Sequence, residues 1–281
     1  MFTSHPSGIE HADRVQENFI AYFRLFAGLP GITFVEEDIT WIVSQGLPGN
    51  LVLRTRLPAE AIEQRLDEAL RQIGQKGDQI DWFVFPGCRP DDLGERLAAY
   101  GRAGGPDEAW TLVGKIGGPG GTWMWADLTS LSGHPPVSPD FHVNWVSDQT
   151  LLKKWTQINA AGFGSGDYQA FYDAYARHGF GPDAIARHCI GYLDDKPVTS
   201  ASLLLAGGIA SVYNVSTPEP LRRQGFGSAI TYAALQEAQK QGYQSAFIWS
   251  SPMGRGVYSK LGFVVTDFGI REYQWQKRGV T

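Results

Sequence analysis

The stretch Asn214-Val215-Ser216-Thr217-Pro218-Glu219-Pro220-Leu221-Arg222-Arg223-Gln224-Gly225-Phe226-Gly227-Ser228 sets paired arginines and spaced glycines between two different periodicities. Before it, the β-branched run from Ser211 to Val215 predicts a strand. After it, Ala229 to Gln241 predicts a helix. A strand, a glycine-bearing turn and a helix N-terminus in succession make an anion site. The first helical turn has backbone N–H groups without internal acceptors, and the helix dipole puts partial positive charge there. Glycines at 225 and 227 let the main chain approach a phosphate closely. The chemistry this implies is binding of a pyrophosphate, as on a nucleotide-like cofactor. Gly225-x-Gly227 lacks the third glycine of a dinucleotide-binding turn, and antiparallel strands are expected ahead of it.

Other reactive side chains form no comparable constellation. His188 and Cys189 are adjacent on a predicted strand, so they point to opposite faces, and no second Cys or His stands at ligand spacing. No metal is expected. Glu219 lies between two prolines and reads as a solvent-facing loop acid. Asn214 and Ser211 are polar but weak bases, so the residues single out no general base. The run from Gly117 to Gly121 has neither a Lys-Ser/Thr pair nor a helix after it, and reads as a flexible connection.

The bulk numbers narrow the class. A chain of 281 residues suggests two domains, and 43% hydrophobic residues suffice for packed cores. A net charge of −5 argues against a general nucleic-acid binder. Cys88 and Cys189 read as two thiols in a reducing compartment. The first ten residues are polar and contain Pro6, unlike a signal peptide, and the longest apolar run is broken by Gly207-Gly208. The expectation is a cytoplasmic protein with no nucleic-acid or membrane partner. The sequence leaves its oligomeric state open.

Around the turn, the second half predicts a strand at Phe141 to Val146 and a helix from Asp148. A glycine-rich break at Gly162 to Gly166 precedes a second helix, Tyr168 to His178. Three antiparallel strands follow: Arg187 to Leu193, Pro197 to Ala206 and Ile209 to Val215. After the turn and its helix come a strand at Ala246 to Ser250, a helix at Arg255 to Leu261, and a closing pair, Phe263 to Thr266 with Glu272 to Gln276. The three prolines between Ser132 and Asp140 mark the expected boundary, giving domains at 1–136 and 140–281.

This order, with Arg222-x-x-Gly225-x-Gly227 after the fourth strand and Val257-Tyr258-Ser259-Lys260-Leu261-Gly262-Phe263 one strand and one helix later, resembles the GCN5-related N-acetyltransferase (GNAT) superfamily. The resemblance covers about Phe141 to Gln276. It implies an α/β fold with a mixed, largely antiparallel sheet flanked by helices, and an N-acetyltransferase moving acetyl from acetyl-CoA directly to an amine in a ternary complex. Val215 and Thr217 would pair through their backbones with the pantetheine arm. Arg222, Arg223, Gln224, Gly225, Phe226, Gly227 and Ser228 would wrap the pyrophosphate. Tyr258 would protonate the departing thiolate. Where the family often carries an asparagine seven residues before that tyrosine, this chain has Ser251, whose shorter hydroxyl would take the cofactor contact. The first helices would build the acceptor pocket, with Phe163, Asp167, Tyr168, Phe171, Tyr172 and Tyr175 nearby. A non-catalytic CoA-binding sensor or scaffold is the competing reading, and longer acyl groups fit the same resemblance.

The first half repeats the rhythm. Strand Leu51 to Arg56, helix Ala59 to Ile73, strand Asp81 to Phe85, helix Asp91 to Tyr100 and strand Trp110 to Ile116 follow in order. Arg54-Thr55-Arg56-Leu57-Pro58-Ala59-Glu60 has no glycine turn. The expectation is a degenerate GNAT-like domain without a cofactor loop, and one cofactor per chain.

Overall fold

A computed structural model describes residues 8–46, 48–103, 110–116, 121–131, 133–164 and 168–277. The chain divides into two compact units, residues 1–120 with 267–281, and residues 121–266.

The first unit begins with α1 (Ala12–Arg24), whose Val15, Phe19, Ile20 and Phe23 are buried at helical spacing. Strands β1 (Thr33–Glu36), β2 (Ile39–Val43) and β3 (Leu51–Thr55) form an antiparallel meander. Then α2 (Ile62–Gly74) buries Ile62, Leu66, Ala69, Leu70 and Ile73, the stripe its sequence predicts. It carries the chain to β4 (Gln79–Val84), which lies parallel to β3. After α3 (Leu93–Ala103) and β5 (Trp110–Ile116), this sheet is completed by β13 (Arg271–Lys277) from the far end of the chain, in the order β1-β2-β3-β4-β13-β5.

The second unit starts with β6 (Thr122–Asp127), then β7 (Phe141–Trp145), α4 (Gln149–Phe163) and α5 (Gln169–His178). The Asp148 carboxylate caps α4 by accepting from Leu151 N at 2.8 Å. Strands β8 (Ala186–Leu193), β9 (Lys196–Ala206) and β10 (Ile209–Ser216) are antiparallel neighbours, joined by tight turns at Asp194-Asp195 and Gly207-Gly208 that take positive φ. Helix α6 (Phe226–Lys240) crosses over to β11 (Ser245–Ser250), parallel to β10. It buries Ile230, Ala234, Leu235 and Ala238 in a core with Met124, Ala126, Leu203, Val212 and Ile248. Full burial of each larger aliphatic side chain contributes roughly 1.5–3 kcal/mol. Helix α7 (Pro252–Ser259) and the two-residue strand β12 (Val264–Val265) follow, and the sheet order is β12-β6-β11-β10-β9-β8-β7.

Two expectations change. Residues 263–266 and 272–276 do not pair with each other. Val264 and Val265 pair with β6, whereas β13 (Arg271–Lys277) inserts between β4 and β5 of the first sheet. Trp275, wholly buried there, explains the preference, because β13 gains a partner on both edges. The domain division shifts accordingly. The proline-rich residues after Ser132 lie inside the second unit, because β6, which precedes them, is hydrogen-bonded to β11 along its whole length.

Glu272 of β13 is 6% exposed, and burial, reinforced by the charge of Asp81, raises its pKa from 4.5 to about 7. The folded state therefore holds a proton that the unfolded chain releases. This stabilisation is full below pH 4.5 and is lost as pH rises through about 7, a linked free energy on the order of 3 kcal/mol. Calorimetric Tm should fall between pH 5 and 8, and Glu272→Gln should flatten that decline. Parallel pH profiles for the two proteins would contradict this.

Candidate functional site

The site grows from a short ladder. Strands β10 and β11 pair only at Ala210↔Ala246 and Ser211↔Phe247, although both strands run on. The cause lies on β10, whose register against β9 shifts between Tyr213 and Ser216, with Asn214 at a φ of 54°. Two helices hold this bulge. Asn159 of α4 donates from Nδ2 to the Asn214 carbonyl at 2.8 Å, and Asn214 Nδ2 donates to the Tyr175 hydroxyl of α5 at 2.9 Å. The tail of β10 is fixed from β9, where the Thr199 hydroxyl donates to the Ser216 carbonyl at 2.8 Å and lies 3.0 Å from Thr217 Oγ1.

Beyond the ladder opens a cleft of about 730 Å³. Its walls include Val215 and Thr217 from the tail of β10, Arg222, Arg223, Gly225, Phe226, Gly227 and Ser228 from the turn and α6, and Ser251 and Tyr258 from α7 and its cap. Gln224, expected with them, does not line the cleft and is solvent exposed. Arg222 works through its side chain as a clamp. Its Nε donates to the Thr217 carbonyl at 3.1 Å, and its Nη2 donates to the carbonyl of Gly162, in the last turn of α4, at 2.8 Å. Part of the Thr217 backbone is thereby already engaged.

The two turn glycines differ. Gly225 is the N-cap of α6 at a φ of 87°, and a Cβ there would collide with the Pro136 carbonyl. The fold itself requires this glycine. Gly227 has no positive φ, and a Cβ would meet nothing closer than Thr217 Oγ1 at 3.9 Å. Glycine at 227 keeps open the space beside the first-turn amides, which suits close approach of a phosphate group. The lining carries Arg222, Arg223 and Lys260 and, among the described residues, no carboxylate. A chain of net charge −5 thus presents a cationic cleft that fits a polyphosphate.

At the other wall, Tyr258 is 8% exposed, and burial pushes its phenol well above the usual tyrosine range. It stays protonated at neutral pH and can donate. Gly254, one turn earlier, lets the ring lie close over the helix. Helix α7 begins at Pro252, earlier than the expected Arg255, because the Ser251 hydroxyl caps it by accepting from Gly254 N at 3.2 Å and Pro252 occupies the first turn. Ser251 therefore lines the cleft with its hydroxyl partly committed.

Of the acceptor-side candidates, Phe171 and Tyr175 are core residues. Phe163 is 55% exposed at the cleft and stacks at 6.5 Å on Tyr168, which with Tyr172, Lys153 and Gln157 lines a neighbouring groove of about 380 Å³. Asp167 lies outside the described residues. Glu219 is exposed. His188 is sealed between Tyr175 and Trp155 with Nδ1 2.8 Å from Ser202 Oγ, and burial lowers its pKa to about 3. Burial likewise pushes the Cys189 thiol up to about 12, so both are inert packing groups. Both cysteines are free.

Sequence reasoning missed Asn159, Thr199 and Gly162. Gly162 was expected to break a helix but lies within α4, where a Cβ would collide with Ser216. No local signal distinguishes such a close-approach glycine from a helix breaker.

In the first unit, the parallel pair β3 and β4 also shares only two rungs, Leu51↔Asp81 and Val52↔Trp82. There the tail of β3 is already occupied by its own chain. Arg89 N donates to the Thr55 carbonyl at 2.8 Å, Leu57 N donates to the Arg89 carbonyl at 3.2 Å, and Trp82 Nε1 donates to Thr55 Oγ1 at 3.1 Å.

Comparison with known proteins accords with this geometry. No family model matches the sequence, and no curated protein matches it. Solved structures do match. A GCN5-related N-acetyltransferase from Kribbella flavida superposes with a TM-score of 0.64 at 14% identity, covering 99% of this chain and 98% of that one. A tandem GNAT protein from the clavulanic acid biosynthesis pathway gives 0.58 at 14% identity, with 98% of each chain covered. A GCN5-related N-acetyltransferase from Sphaerobacter thermophilus gives 0.57 at 10% identity, with 97% and 93% covered. The fold is that of the GNAT acetyltransferases. The likeness runs over nearly the whole chain, so it is the tandem form of that fold, with two mixed, mostly antiparallel sheets flanked by helices.

The glycine contrast is testable. Gly225→Ala should cost the fold about 1–3 kcal/mol through its left-handed backbone and the Pro136 contact. Gly227→Val should lower Tm less than Gly225→Ala does and weaken binding of inorganic pyrophosphate at least tenfold. Thermal unfolding and equilibrium binding of both variants check the pair, and identical behaviour of the two would contradict it.

Proposed function

We propose that the protein is an acetyl-CoA-dependent N-acetyltransferase that passes the acetyl group directly to an amine in a ternary complex. The observation that carries this reading is the cleft itself, which has a cationic glycine turn on one wall and a protonated, buried tyrosine on the other. Acetyl-CoA as substrate supplies a thioester, whose carbonyl carbon gains a C–N bond from a neutral amine as its C–S bond breaks. The amides of residues 226–228 would hold the pyrophosphate, and Arg223 and Lys260 add positive charge to the cleft. The exposed backbone edge of β10 around Val215 would pair with pantetheine as an added strand does. Tyr258 would deliver its phenolic proton to the leaving sulfur and regain one from solvent, while the attacking nitrogen sheds its extra proton to solvent as the amide forms. The exposed ring of Phe163 and the thioether side chain of Met253, the latter 68% exposed, offer apolar contact at the cleft, and the groove beside Tyr168 and Tyr172 is the candidate for the acceptor body.

Tyr258→Phe should lower kcat by roughly 10²-fold or more while the acetyl-CoA Kd stays within about twofold. Release of free thiol, followed across a panel of amines, provides the measurement. Wild-type turnover in the variant would remove Tyr258 as the acid. Tight acetyl-CoA binding without thiol release on any amine would favour a CoA-binding sensor instead.

A further inference from the structure

The chain on either side of the expected domain boundary, residues 128–141, makes contacts with α6 from its C-terminal end to its N-terminus. At the C-terminal end of α6, Gln239 Nε2 donates to the Leu128 carbonyl at 2.8 Å. Midway, the His134 ring sits edge-on to Tyr232 with centroids 4.9 Å apart. At the N-terminus the Pro136 carbonyl occupies the space beside Gly225. Phe141, opening β7, then stacks on Phe226, the first residue of α6, at 5.5 Å and 19°. The Phe141 ring rests where Gly191 of β8 leaves room, and the same glycine leaves room for the side chain of Thr199, whose hydroxyl braces Ser216 and Thr217.

The turn it reaches is poorly fixed by local means. Gly225 supplies no side-chain cap, and two residues in three, Arg223 and Gly225, hold positive φ. Outside contacts must set the direction of the first-turn amides. Arg222 grips from the side of α4 and β10, and the Pro136 and Phe141 contacts grip from the other.

We propose that residues 133–141 are a positioning strap that holds the glycine turn and the N-terminus of α6 in their anion-binding geometry. The assignment to acetyl-CoA rests on the function proposed above; the strap's grip on the turn does not. His134 and Pro136 are exposed, so substituting them removes little packing. Pro136→Gly loosens the backbone at the contact, and Pro136→Ala retains more of its restriction.

The test measures two quantities on the full chain of wild type, His134→Ala/Pro136→Gly and Pro136→Ala. One is amide hydrogen exchange of residues 225–229 without ligand. The other is the acetyl-CoA Kd. The proposal expects at least fivefold faster exchange at the turn in the double variant, a Kd raised at least fivefold, a Tm lowered by no more than a few degrees, and near-native values for both quantities in Pro136→Ala. By linkage, acetyl-CoA should in turn slow exchange across residues 133–141 of the wild type. Unchanged exchange at the turn overturns the strap. Wild type that fails to bind acetyl-CoA, with faster turn exchange in the variant, keeps the strap and discards the cofactor assignment.

Discussion

The parallel ladder between β10 and β11 ends after two rungs, and the arrangement of the second unit follows from that ending. A crossover connection normally returns a strand to full pairing beside its partner. Here the bulge at Asn214 diverts β10 while β11 runs straight on to the cap of α7. The end of β10 at Val215 and Ser216, the N-terminus of α6 and α7 thereby face one cleft. Such an opening is a defect in a sheet unless something maintains it. Asn159, Tyr175 and Thr199 hold the bulge and tail, while Arg222 ties the turn to Gly162. Each of these is a side-chain bond to strand or turn, at a place where backbone pairing has been given up.

The first unit treats the same parting of parallel strands differently. Its β3 and β4 also part after two rungs, but residues 88 and 89 fold back and satisfy the tail of β3. There is no glycine turn before α2, whose N-cap is Ala61 without a side-chain bond. Backbone groups that in the second unit face a cleft are met in the first by the protein's own chain.

Much of this was legible in the sequence, and the legible part has a common cause. Helix α2 announced its buried stripe through spacing, and the glycine turn announced itself through composition beside a strand and a helix. These are local signals. The fate of β13 was not local. Its alternation suits any antiparallel partner, and only the available edges of β4 and β5 place it in the first sheet. The proline-rich residues misled for a similar reason, since prolines specify an extended backbone but not whether it hangs free or lies against α6. At the site, the turn and Tyr258 could be named from motif and order. Asn159, 55 residues from the carbonyl it serves, could not.

The second unit has an open cationic cleft and the first a closed edge. Titration calorimetry of acetyl-CoA into the intact protein tests both at once. The predicted isotherm has one binding site per chain, weakened by rising salt as expected for a pyrophosphate held beside Arg223 and Lys260. Two sites per chain, or no binding at any attainable concentration, would contradict it.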